Sequence, residues 1–440
     1  MRSRPDLPGG PYLVVGLARS GVGAALALRD RGEEVIGVDA GSPEGLGGLT
    51  EAGVEVHLRE EGTALLARAG AVIKSPGVPR EAPVIAGALA RGIEVLGELE
   101  MAWRLLENEV IAVTGTNGKT TTVEWVGHIH RTAGLPVTVA GNVGTALSGL
   151  AGKTGQDVTV VCEASSFQLQ DTNAFAAEAA VLLNITPDHL DRHGTFDRYL
   201  AAKLEIFARQ GNEDIAVAPL GLGVEDLGGC GRRVCFGSGP GAALSERAGE
   251  LWWEEQPLMS AGEIGLRGAH NIQNAMAAAA VCLARGVGTG AVREGLRSFA
   301  GVKHRLEALA SSDGVLWVND SKATNVASTL VALDAFPAGA IHLILGGQGK
   351  GQDFSALRAP VEKRCEAVYL IGEDAPLIAA ALASVSIPVH ECGELELAIA
   401  RAREAARHRD VVLLSPACAS FDQFADFEAR GERFRELVQG

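Results

Sequence analysis

A glycine-rich loop between an apolar segment and a helical segment constrains the fold of this chain more than any other feature. The apolar residues Val110–Thr114 lead into Gly115–Thr121, which reads GTNGKTT, and a helical pattern follows. A strand–loop–helix unit of this kind surrounds a phosphate with backbone N–H groups at a helix N-terminus. Lys119 is suited to neutralise β- and γ-phosphate oxygens, and the Thr120 hydroxyl is suited to Mg²⁺. Val113 stands where the usual P-loop has its first glycine, so this loop is a shortened variant.

Short apolar runs alternate with helical patterns along the 440 residues. This alternation is typical of parallel sheets covered by helices, so the sequence predicts an α/β fold. The stretch 211–266 is rich in Gly and Pro, lacks a long helical pattern, and predicts a small β-rich insertion or sheet edge. Three successive α/β blocks predict three domains, residues 1–96, 97–300 and 301–440. The predicted strands are Tyr12–Val15, Val35–Asp39, Ala71–Lys74, Val110–Thr114, Val137–Ala140, Val158–Cys162, Ala179–Leu183, Val315–Asn319, Ile341–Gly346, Ala367–Ile371 and Val411–Ser415.

Composition excludes several classes of protein. The chain has 39 basic and 54 acidic residues, a net charge of −15, and no basic stripe, which argues against a nucleic-acid-binding protein. Anionic ligands therefore need particular Lys and Arg side chains, glycine loops and metal ions. The longest apolar run, Ala275–Ala284, is about half a membrane span, so we expect no membrane-spanning helix. Seven cysteines without a CxxC pair indicate free thiols, and we expect a cytoplasmic protein.

Two residues downstream of the loop are candidate metal ligands. Glu163 ends an apolar run and is a candidate Mg²⁺ ligand, with a solvated strand-end carboxylate as the alternative. His189 lies in the polar segment Asn184–His193. As a neutral imidazole it is a candidate ligand of a second metal ion, supported by Asp188 or Asp191.

Lys203 lies in a helical stretch that is otherwise apolar on one face. Its spacing alone predicts a surface lysine whose charged end reaches solvent.

Other polar clusters also follow predicted strands, where ligands bind in doubly wound folds. Near the N-terminus, Gly16–Gly23 reads GLARSGVG and Asp39 ends the next strand, which indicates a nucleotide-binding turn although Ala18 breaks the GxGxxG pattern. In the last third of the chain, the clusters are Asn319–Asn325, Gly346–Gly351 and Ser415–Asp422.

The order of these motifs resembles that of the Mur ligase family of peptidoglycan synthesis. The shared motifs are TGTNGKTT, the strand-end Glu163, NITPDHLDRH, Lys203, GAHNIQN, KHR and NDSKATN, and they extend along essentially the whole chain. The late motifs NDSKATN, LGGQGKGQDF and LSPACASFDQF resemble the branch of the family that adds D-glutamate. The resemblance implies an N-terminal Rossmann-like domain that binds a UDP-sugar, a central P-loop-type ATPase domain and a C-terminal Rossmann-like domain that binds an amino acid.

The resemblance also implies a role for each matching residue. Catalytic roles fall to Lys119, His189 and Lys203, and the metal ligands are Thr120, Glu163, His189 and Lys203, with Lys203 carbamylated. The ATP contacts are Gly115, Thr116, Asn117, Gly118, Lys119, Thr120, Thr121, Asn271, Arg305 and Asp320. The UDP-sugar contacts are Arg19, Ser20, Asp39, Ser75, Gly77, Asn142 and Gln168, and the D-glutamate contacts are Lys322, Thr324, Lys350, Ser415 and Phe424.

The reaction implied by the resemblance joins D-glutamate to UDP-N-acetylmuramoyl-L-alanine through an acyl phosphate, at the expense of ATP and with two Mg²⁺ ions. The partners are then small molecules only, with no nucleic acid and no membrane, and the protein is expected to be a monomer. The chain departs from the family pattern at Gly41, where an arginine is expected, and the loop 191–199 is about one residue short.

Three alternatives fit part of the sequence. A folylpolyglutamate synthetase shares the phosphate loop but not NDSKATN or the GLARSG segment with Asp39. A nicotinamide-dependent oxidoreductase leaves TGTNGKTT unexplained, and a non-catalytic ATP-binding switch has no need of His189 or Lys203.

Overall fold

The computed structural model describes residues 3–43, 45–142, 144–222, 227–266, 268–309, 314–349 and 351–440, apart from the side chain of residue 191. The chain divides into two compact units, Met1–Phe299 and Ala300–Gly440. The first unit carries two sheets and the second unit carries one. The boundary expected at residues 96 and 97 lies within the first unit, and the three domain ranges stay a prediction.

The first sheet has five parallel strands in the order β3-β2-β1-β4-β5. The reversal of strand order beside β1 is the point where doubly wound sheets bind ligands, outside the carboxyl ends of the strands. The strands are β1 Tyr12–Val15, β2 Val35–Asp39, β3 Glu55–Leu58, β4 Ala71–Lys74 and β5 Glu94–Gly97. The helices of this part of the chain are α1 Arg19–Arg29, α2 Gly47–Glu51, α3 Pro83–Ala90 and α4 Glu98–Leu105.

The second sheet has nine strands in the order β14-β13-β12-β11-β10-β9-β6-β8-β7. Pairing is parallel from β7 to β12 and antiparallel for β13 and β14. The strands are β6 Val110–Thr114, β7 Val137–Gly141, β8 Thr159–Glu163, β9 Ala179–Leu182, β10 Ile215–Pro219, β11 Arg232–Gly237, β12 Leu244–Arg247, β13 Glu250–Trp253 and β14 Gln256–Ser260. The helices are α5 Lys119–Thr132, α6 Ser166–Gln170, α7 Leu190–His193, α8 Phe196–Leu204, α9 Ala269–Ala284 and α10 Thr289–Ser298.

The second unit is built on a six-stranded sheet in the order β15-β16-β20-β17-β18-β19, parallel except for β15. Its strands are β15 Glu307–Leu309, β16 Leu316–Asn319, β17 Ile341–Gly346, β18 Cys365–Ile371, β19 Val389–Gly393 and β20 Val411–Leu414. Its helices are α11 Val326–Asp334, α12 Arg358–Arg364, α13 Ala375–Ala381, α14 Leu395–Ala405 and α15 Phe427–Gln439.

Burial on both faces explains why the central strands are uninterrupted apolar runs. In β17 the neighbouring residues Leu343 and Ile344 point to opposite faces, and both are fully buried. The α/β fold predicted from the alternation of apolar runs is confirmed, and so is the β-rich character of residues 211–266, which contain β10 to β14. In the part of the chain that the structure describes, no helix combines the length and apolarity needed to cross a membrane.

Helix α4 carries a buried carboxylate that fixes the chain after α6. Glu100 is fully buried and accepts hydrogen bonds from the backbone N–H groups of Asn173 (3.2 Å), Ala174 (3.0 Å) and Phe175 (2.8 Å). Arg104, one helical turn further on, donates from Nε to the same carboxylate at 2.8 Å. Four donors satisfy the hydrogen-bonding capacity of this buried carboxylate, and the contacts tie α4 to the loop that enters β9.

Replacement of Glu100 by alanine should therefore destabilise the first unit strongly. The change leaves three backbone donors and Arg104 without their acceptor, at a cost of about 3–5 kcal/mol. Thermal unfolding followed by tryptophan fluorescence measures the loss, with the exposed Glu81→Ala as matched control. A melting temperature for Glu100→Ala equal to that of the control would contradict this role.

Candidate active site

The phosphate loop after β6 requires glycine at two positions. Gly115 has φ 154°, and a Cβ there would lie 2.9 Å from Cβ of Leu183. Gly118 has φ 84°, in the left-handed region that favours glycine, and a Cβ there would collide with the amide of Asn274. The loop is thus closely packed on β9 and α9, and α5 begins at Lys119 directly after it.

Side chains from the segment after β9 hold the loop in place. Asn184 accepts a hydrogen bond from Asn117 N at 2.9 Å and donates to Asn117 O at 3.1 Å. The Thr116 hydroxyl donates to Thr186 O at 3.1 Å and lies 3.0 Å from the Tyr199 hydroxyl. The loop conformation is therefore set before any ligand binds, which is the preorganisation that phosphate binding needs.

Two lysine side chains converge on one carbonyl oxygen of the loop. Lys119 Nζ donates to Gly115 O at 3.0 Å and to Thr116 O at 2.9 Å. Lys203 Nζ donates to the same Gly115 O at 2.8 Å. The positive charge of Lys119 therefore disfavours the charged form of Lys203.

Lys203 is buried, with 2% of its surface exposed, so the surface lysine expected from its spacing is wrong. Helix α8 packs its apolar face against the body of the unit, and Lys203 lies on that face with Nζ 4.7 Å from the ring centroid of Tyr199. Burial, followed by the neighbouring Lys119, lowers the pKa of Lys203 to about 7, and Asp188 and Glu163 act in the opposite direction. A large fraction of Lys203 is therefore a neutral amine near neutral pH.

Glu163 lies at the end of β8 beside the start of α5. Thr120 Oγ1 donates to Glu163 Oε2 at 2.7 Å, and Asn142 Nδ2 donates to Glu163 Oε1 at 3.0 Å. The carboxylate is buried, so the alternative of a solvated strand-end residue is wrong. One carboxylate and one hydroxyl are oxygen ligands of the kind that Mg²⁺ uses together with substrate phosphates. The donors present therefore fit Mg²⁺, although the described residues contain no group of three or more His, Cys, Asp or Glu side chains poised to hold a metal ion.

His189 lies on the exposed rim of this region. Its backbone is left-handed, with φ 50°, and its imidazole is about half exposed, with Nε2 3.6 Å from Asp188 Oδ2. The ring packs against Phe167, with centroids 5.0 Å apart. The accessible nitrogen is chemically suited to a metal ion, and its role stays a prediction.

Five of the seven residues expected to contact a UDP-sugar lie at the carboxyl ends of β1, β2 and β4, whereas Asn142 follows β7 and Gln168 lies in α6. Asp39 accepts hydrogen bonds from Leu17 N and Gly41 N, both at 2.7 Å, so its carboxylate shapes the turn after β1. Ser75 is buried and donates to Gly16 O at 2.6 Å.

The other expected UDP-sugar contacts differ in exposure. Arg19 is exposed and donates to Gly144 O at 3.0 Å, and Gly77 is exposed, whereas Ser20 is half-buried. Asn142 is the residue already bound to Glu163, and Gln168 is buried in a capping box with Ser165.

The remaining ATP contacts expected from the sequence are distributed over both units. In the first unit, Asn271 Oδ1 accepts a hydrogen bond at 3.4 Å from Asn274, the residue that packs on Gly118. Thr121 is buried in the first turn of α5.

In the second unit, Asp320 follows β16 and accepts from Ser415 Oγ at 2.8 Å and from Leu306 N at 3.1 Å. Burial raises the pKa of Asp320 to about 7, against those two hydrogen bonds and the nearby Arg305.

Residues expected to bind D-glutamate lie at the carboxyl ends of β16 and β20. Lys322 and Thr324 are half-buried, and Lys322 Nζ lies 5.7 Å from the ring centroid of Phe427. Ser415 is fully buried and bound to Asp320, and Phe424 is half-buried against the core of the unit. Lys350 lies outside the described residues.

The sequence did not single out Tyr199, whose hydroxyl lies beside Thr116 of the phosphate loop. It gave no signal for this residue, because the contact with Thr116 joins residues far apart in the chain. Asn184 lies in the polar segment noted after β9, and it holds the loop through Asn117. In the second unit, Ser420 belongs to the hydroxyl cluster noted after β20, and its buried hydroxyl has no hydrogen-bond partner among the described residues.

Three family models match the chain. The Mur ligase MurD-like N-terminal domain matches residues 11–97, the Mur ligase middle domain matches 113–223, and the Mur ligase glutamate ligase domain matches 304–418. The chain is 42% identical to the UDP-N-acetylmuramoylalanine–D-glutamate ligase of Acidobacterium capsulatum, covering 98% of this chain and 97% of that one. It is 43% identical to the ligase of the same name from Anaeromyxobacter dehalogenans, covering 99% and 98%.

Solved structures share the fold at lower identity. The UDP-N-acetylmuramate-alanine ligase of Thermotoga maritima is similar with a TM-score of 0.61 and 20% identity, covering 98% of this chain and 99% of that one. FolC of E. coli, in complex with DHPP and ADP, is similar with a TM-score of 0.55 and 19% identity, covering 76% and 91%.

The lowered pKa of Lys203 predicts a pH-dependent stability difference. Between about pH 7 and 10.5 the unfolded chain binds the proton at Lys203 and the folded chain does not, so the wild type gains stability as pH rises. The stability of Lys203→Met minus that of the wild type should therefore be largest at pH 7 or below, and this difference should shrink as the pH rises to 10. Melting temperatures of both proteins in CO₂-free buffer with EDTA measure this difference, with Lys153→Met at an exposed site as control. A difference that does not change with pH would show that Lys203 keeps an ordinary pKa.

Proposed function

The chain belongs to the Mur ligase family, and from that membership we infer that it joins D-glutamate to UDP-N-acetylmuramoyl-L-alanine in an ATP-dependent reaction. It is an acid–D-amino-acid ligase of peptidoglycan precursor synthesis. Relatives that carry this activity in their names are about 40% identical over nearly the full chain. The structural observation that supports the chemistry best is the convergence of Lys119 and Lys203 on Gly115 O, beside the Thr120–Glu163 pair.

The first step activates a carboxylate, which is a poor electrophile at neutral pH. A carboxylate oxygen of the UDP-sugar substrate attacks the γ-phosphorus of ATP, the bond to the β-phosphate oxygen breaks, and ADP leaves. The backbone N–H groups from Gly118 to Thr121, at the start of α5, hold the phosphates, since those of Thr116 and Asn117 already donate to Asn184. Lys119 turns from its loop carbonyls to the β- and γ-oxygens. We propose Asn271, Arg305 and Asp320 as further ATP contacts.

We propose that side chains around the phosphate loop hold two Mg²⁺ ions. Thr120 and Glu163 would hold one ion, and His189 with a carbamylated Lys203 would hold the other. Mg²⁺, when bound, offsets the negative charge of the phosphate groups. Carbamylation by CO₂ needs a neutral amine, and the burial of Lys203 next to Lys119 supplies one. The modification also converts this amine into an anion, which attracts Lys119.

The second step forms the new amide bond. The amino group of D-glutamate, once it has lost its proton, attacks the acyl carbon to form a tetrahedral intermediate. The C–O bond then breaks, and the leaving phosphate takes the remaining proton that the nitrogen releases as the amide forms. We propose that Lys322, Thr324, Lys350, Ser415 and Phe424 bind the amino acid, because two carboxylates need cationic and hydroxyl partners. His189 stabilises negative charge that develops on the intermediate.

The UDP-sugar is proposed to bind at the switch point of the first sheet. Arg19 and Ser20 at the start of α1 face the diphosphate, which a helix N-terminus favours. Asp39, Ser75, Gly77, Asn142 and Gln168 complete the proposed set. We also propose that the protein acts in the cytoplasm as a monomer, with no partner other than its small-molecule substrates.

Phosphate release tests this assignment directly. With ATP and Mg²⁺, the protein should release phosphate only when both UDP-N-acetylmuramoyl-L-alanine and D-glutamate are present, and not with L-glutamate or L-lysine. Because Lys119 acts on the transferred phosphoryl group, Lys119→Met should lower kcat by about a hundredfold or more. Release that depends instead on a pterin and L-glutamate would assign the chain to the folylpolyglutamate synthetases.

Chemical rescue tests the carbamate at Lys203. Lys203→Ala should lose activity, because the site lacks an anionic ligand, and should regain part of it when short carboxylic acids such as acetate or propionate are added. Lys153→Ala at an exposed site serves as control and should respond to neither change. A folded Lys203→Ala protein that no carboxylic acid restores would count against a carbamate at this position.

A further inference from the structure

Helix α6 is too short to hold its own position. It comprises five residues, Ser166–Gln170, and begins three residues after Glu163 ends β8. A helix of this length is unstable by itself, since nucleation costs more than its few hydrogen bonds return. Its position must therefore be set by contacts with the rest of the unit.

The N-terminal end of α6 meets the buried carboxylate of Glu98, the first residue of α4. Glu98 Oε1 accepts from Ser148 N at 2.9 Å, and Oε2 has no hydrogen-bond partner among the described residues. Gln168 uses its Oε1 to accept from Ser165, so its amide N–H groups are the ones available to Glu98. Burial raises the pKa of Glu98, and the nearby Ser148 and Gln168 side chains act against this effect.

The C-terminal end of α6 is held by a buried ion pair. Lys74 Nζ, at the end of β4, lies 2.5 Å from Oδ2 of Asp171, the C-cap residue of α6. The two side chains are 2% and 7% exposed. The backbone N–H of Gly97 also donates to Asp171 O, at 3.3 Å.

Both contacts reach residues of the proposed UDP-sugar site. Lys74 directly precedes Ser75, whose hydroxyl binds Gly16 O at the switch point of the first sheet. Glu98 lies beside the Gln168 side chain and accepts a hydrogen bond from Ser148 N, in the short 3₁₀ helix Leu147–Leu150. The contacts therefore connect the loops of the first sheet to the helix that follows β8.

We propose that Lys74 and Glu98 are positioning residues for the UDP-sugar substrate, which hold Ser75 and Gln168 in the arrangement that binds it. The proposal rests on the proposed function, because it takes Ser75 and Gln168 as substrate contacts. Neither Lys74 nor Glu98 touches the phosphate loop, so ATP binding should not depend on them. This separation makes the proposal testable.

The experiment compares the KM for UDP-N-acetylmuramoyl-L-alanine with the KM for ATP in Glu98→Gln and Lys74→Met. Glu98→Gln keeps the shape of the side chain but replaces one of its two acceptor oxygens with an NH₂ donor. That donor then meets another donor, either Ser148 N or the side-chain amide of Gln168. Lys74→Met keeps the length of the side chain and removes its charge. In both variants the KM for the UDP-sugar should rise by about tenfold or more, as is typical when supporting contacts are lost, while the KM for ATP stays within about twofold.

A matched control and a double variant separate positioning from stability. Arg68→Met breaks the exposed ion pair with Glu55 in the same sheet and should leave both KM values unchanged. Lys74→Met leaves the buried carboxylate of Asp171 with the longer ion pair to Arg80, at 3.7 Å, and should lower the melting temperature. Lys74→Met/Asp171→Asn removes both charges and should recover melting temperature while its KM for the UDP-sugar stays high. It also supplies folded protein if the single variant does not fold.

The outcomes are distinct. A wild-type KM for the UDP-sugar in Glu98→Gln overturns the role of Glu98, and the same result in the double variant overturns the role of Lys74. A rise in both KM values together overturns positioning of this substrate and shows a general loss of structure. If the wild type itself neither binds nor turns over UDP-N-acetylmuramoyl-L-alanine, the proposed function fails instead.

Discussion

The hydrogen bonds of two lysines to Gly115 O are the interaction on which the proposed chemistry depends. An ammonium group at Lys119 disfavours a second positive charge at the same carbonyl oxygen. The fold also buries Lys203 more deeply than Lys119, and this burial is the main reason why the pKa of Lys203 falls to about 7. A neutral amine and a cation then lie side by side at a loop shaped for phosphate. The Thr120–Glu163 pair adds the oxygen ligands that a divalent cation needs.

The three sheets place their polar residues by the same rule. Each sheet is mainly parallel, and each has a strand at which the chain order reverses: β1, β6 and β20. The carboxyl ends of these strands carry Gly16, the phosphate loop and Ser415, so one topology places polar residues of three different kinds where doubly wound sheets bind ligands. A parallel sheet buries both faces of its strands, which leaves the strand ends as the positions where polar groups can lie without loss of the core.

The stretch from β4 to α4 connects the first sheet to the second through buried polar groups. Lys74, Glu98 and Glu100 each reach α6 or the residues beside it, and none of the three is exposed. Buried charges of this kind contribute little net stability, because desolvation offsets much of their attraction. They do favour one arrangement over others, since every shift of α6 leaves a charge without its partner. All of these contacts lie within the compact unit Met1–Phe299.

The sequence by itself determined the secondary structure and the nature of the phosphate loop. Ala71–Lys74, Val110–Thr114 and Ile341–Gly346 form strands with the predicted bounds, because uninterrupted β-branched and aliphatic residues bounded by turns have few other stable conformations. Likewise, only glycine suits the backbone at Gly118, so the loop could be recognised from its letters alone. The strand bounds and the loop conformation therefore depend on residues that are neighbours in the sequence.

Only the tertiary structure decided which polar residues are buried and which groups they meet. Lys203 fits the pattern of a surface lysine, yet it lies 88 positions from its partner Gly115 and is almost fully buried. Glu98 and Glu100 lie in an ordinary amphipathic helix, and their contacts with Ser148 and Phe175 are likewise remote in sequence. Burial and charge pairing depend on neighbours that the fold brings together from distant parts of the chain, and periodicity within a short segment carries no information about them.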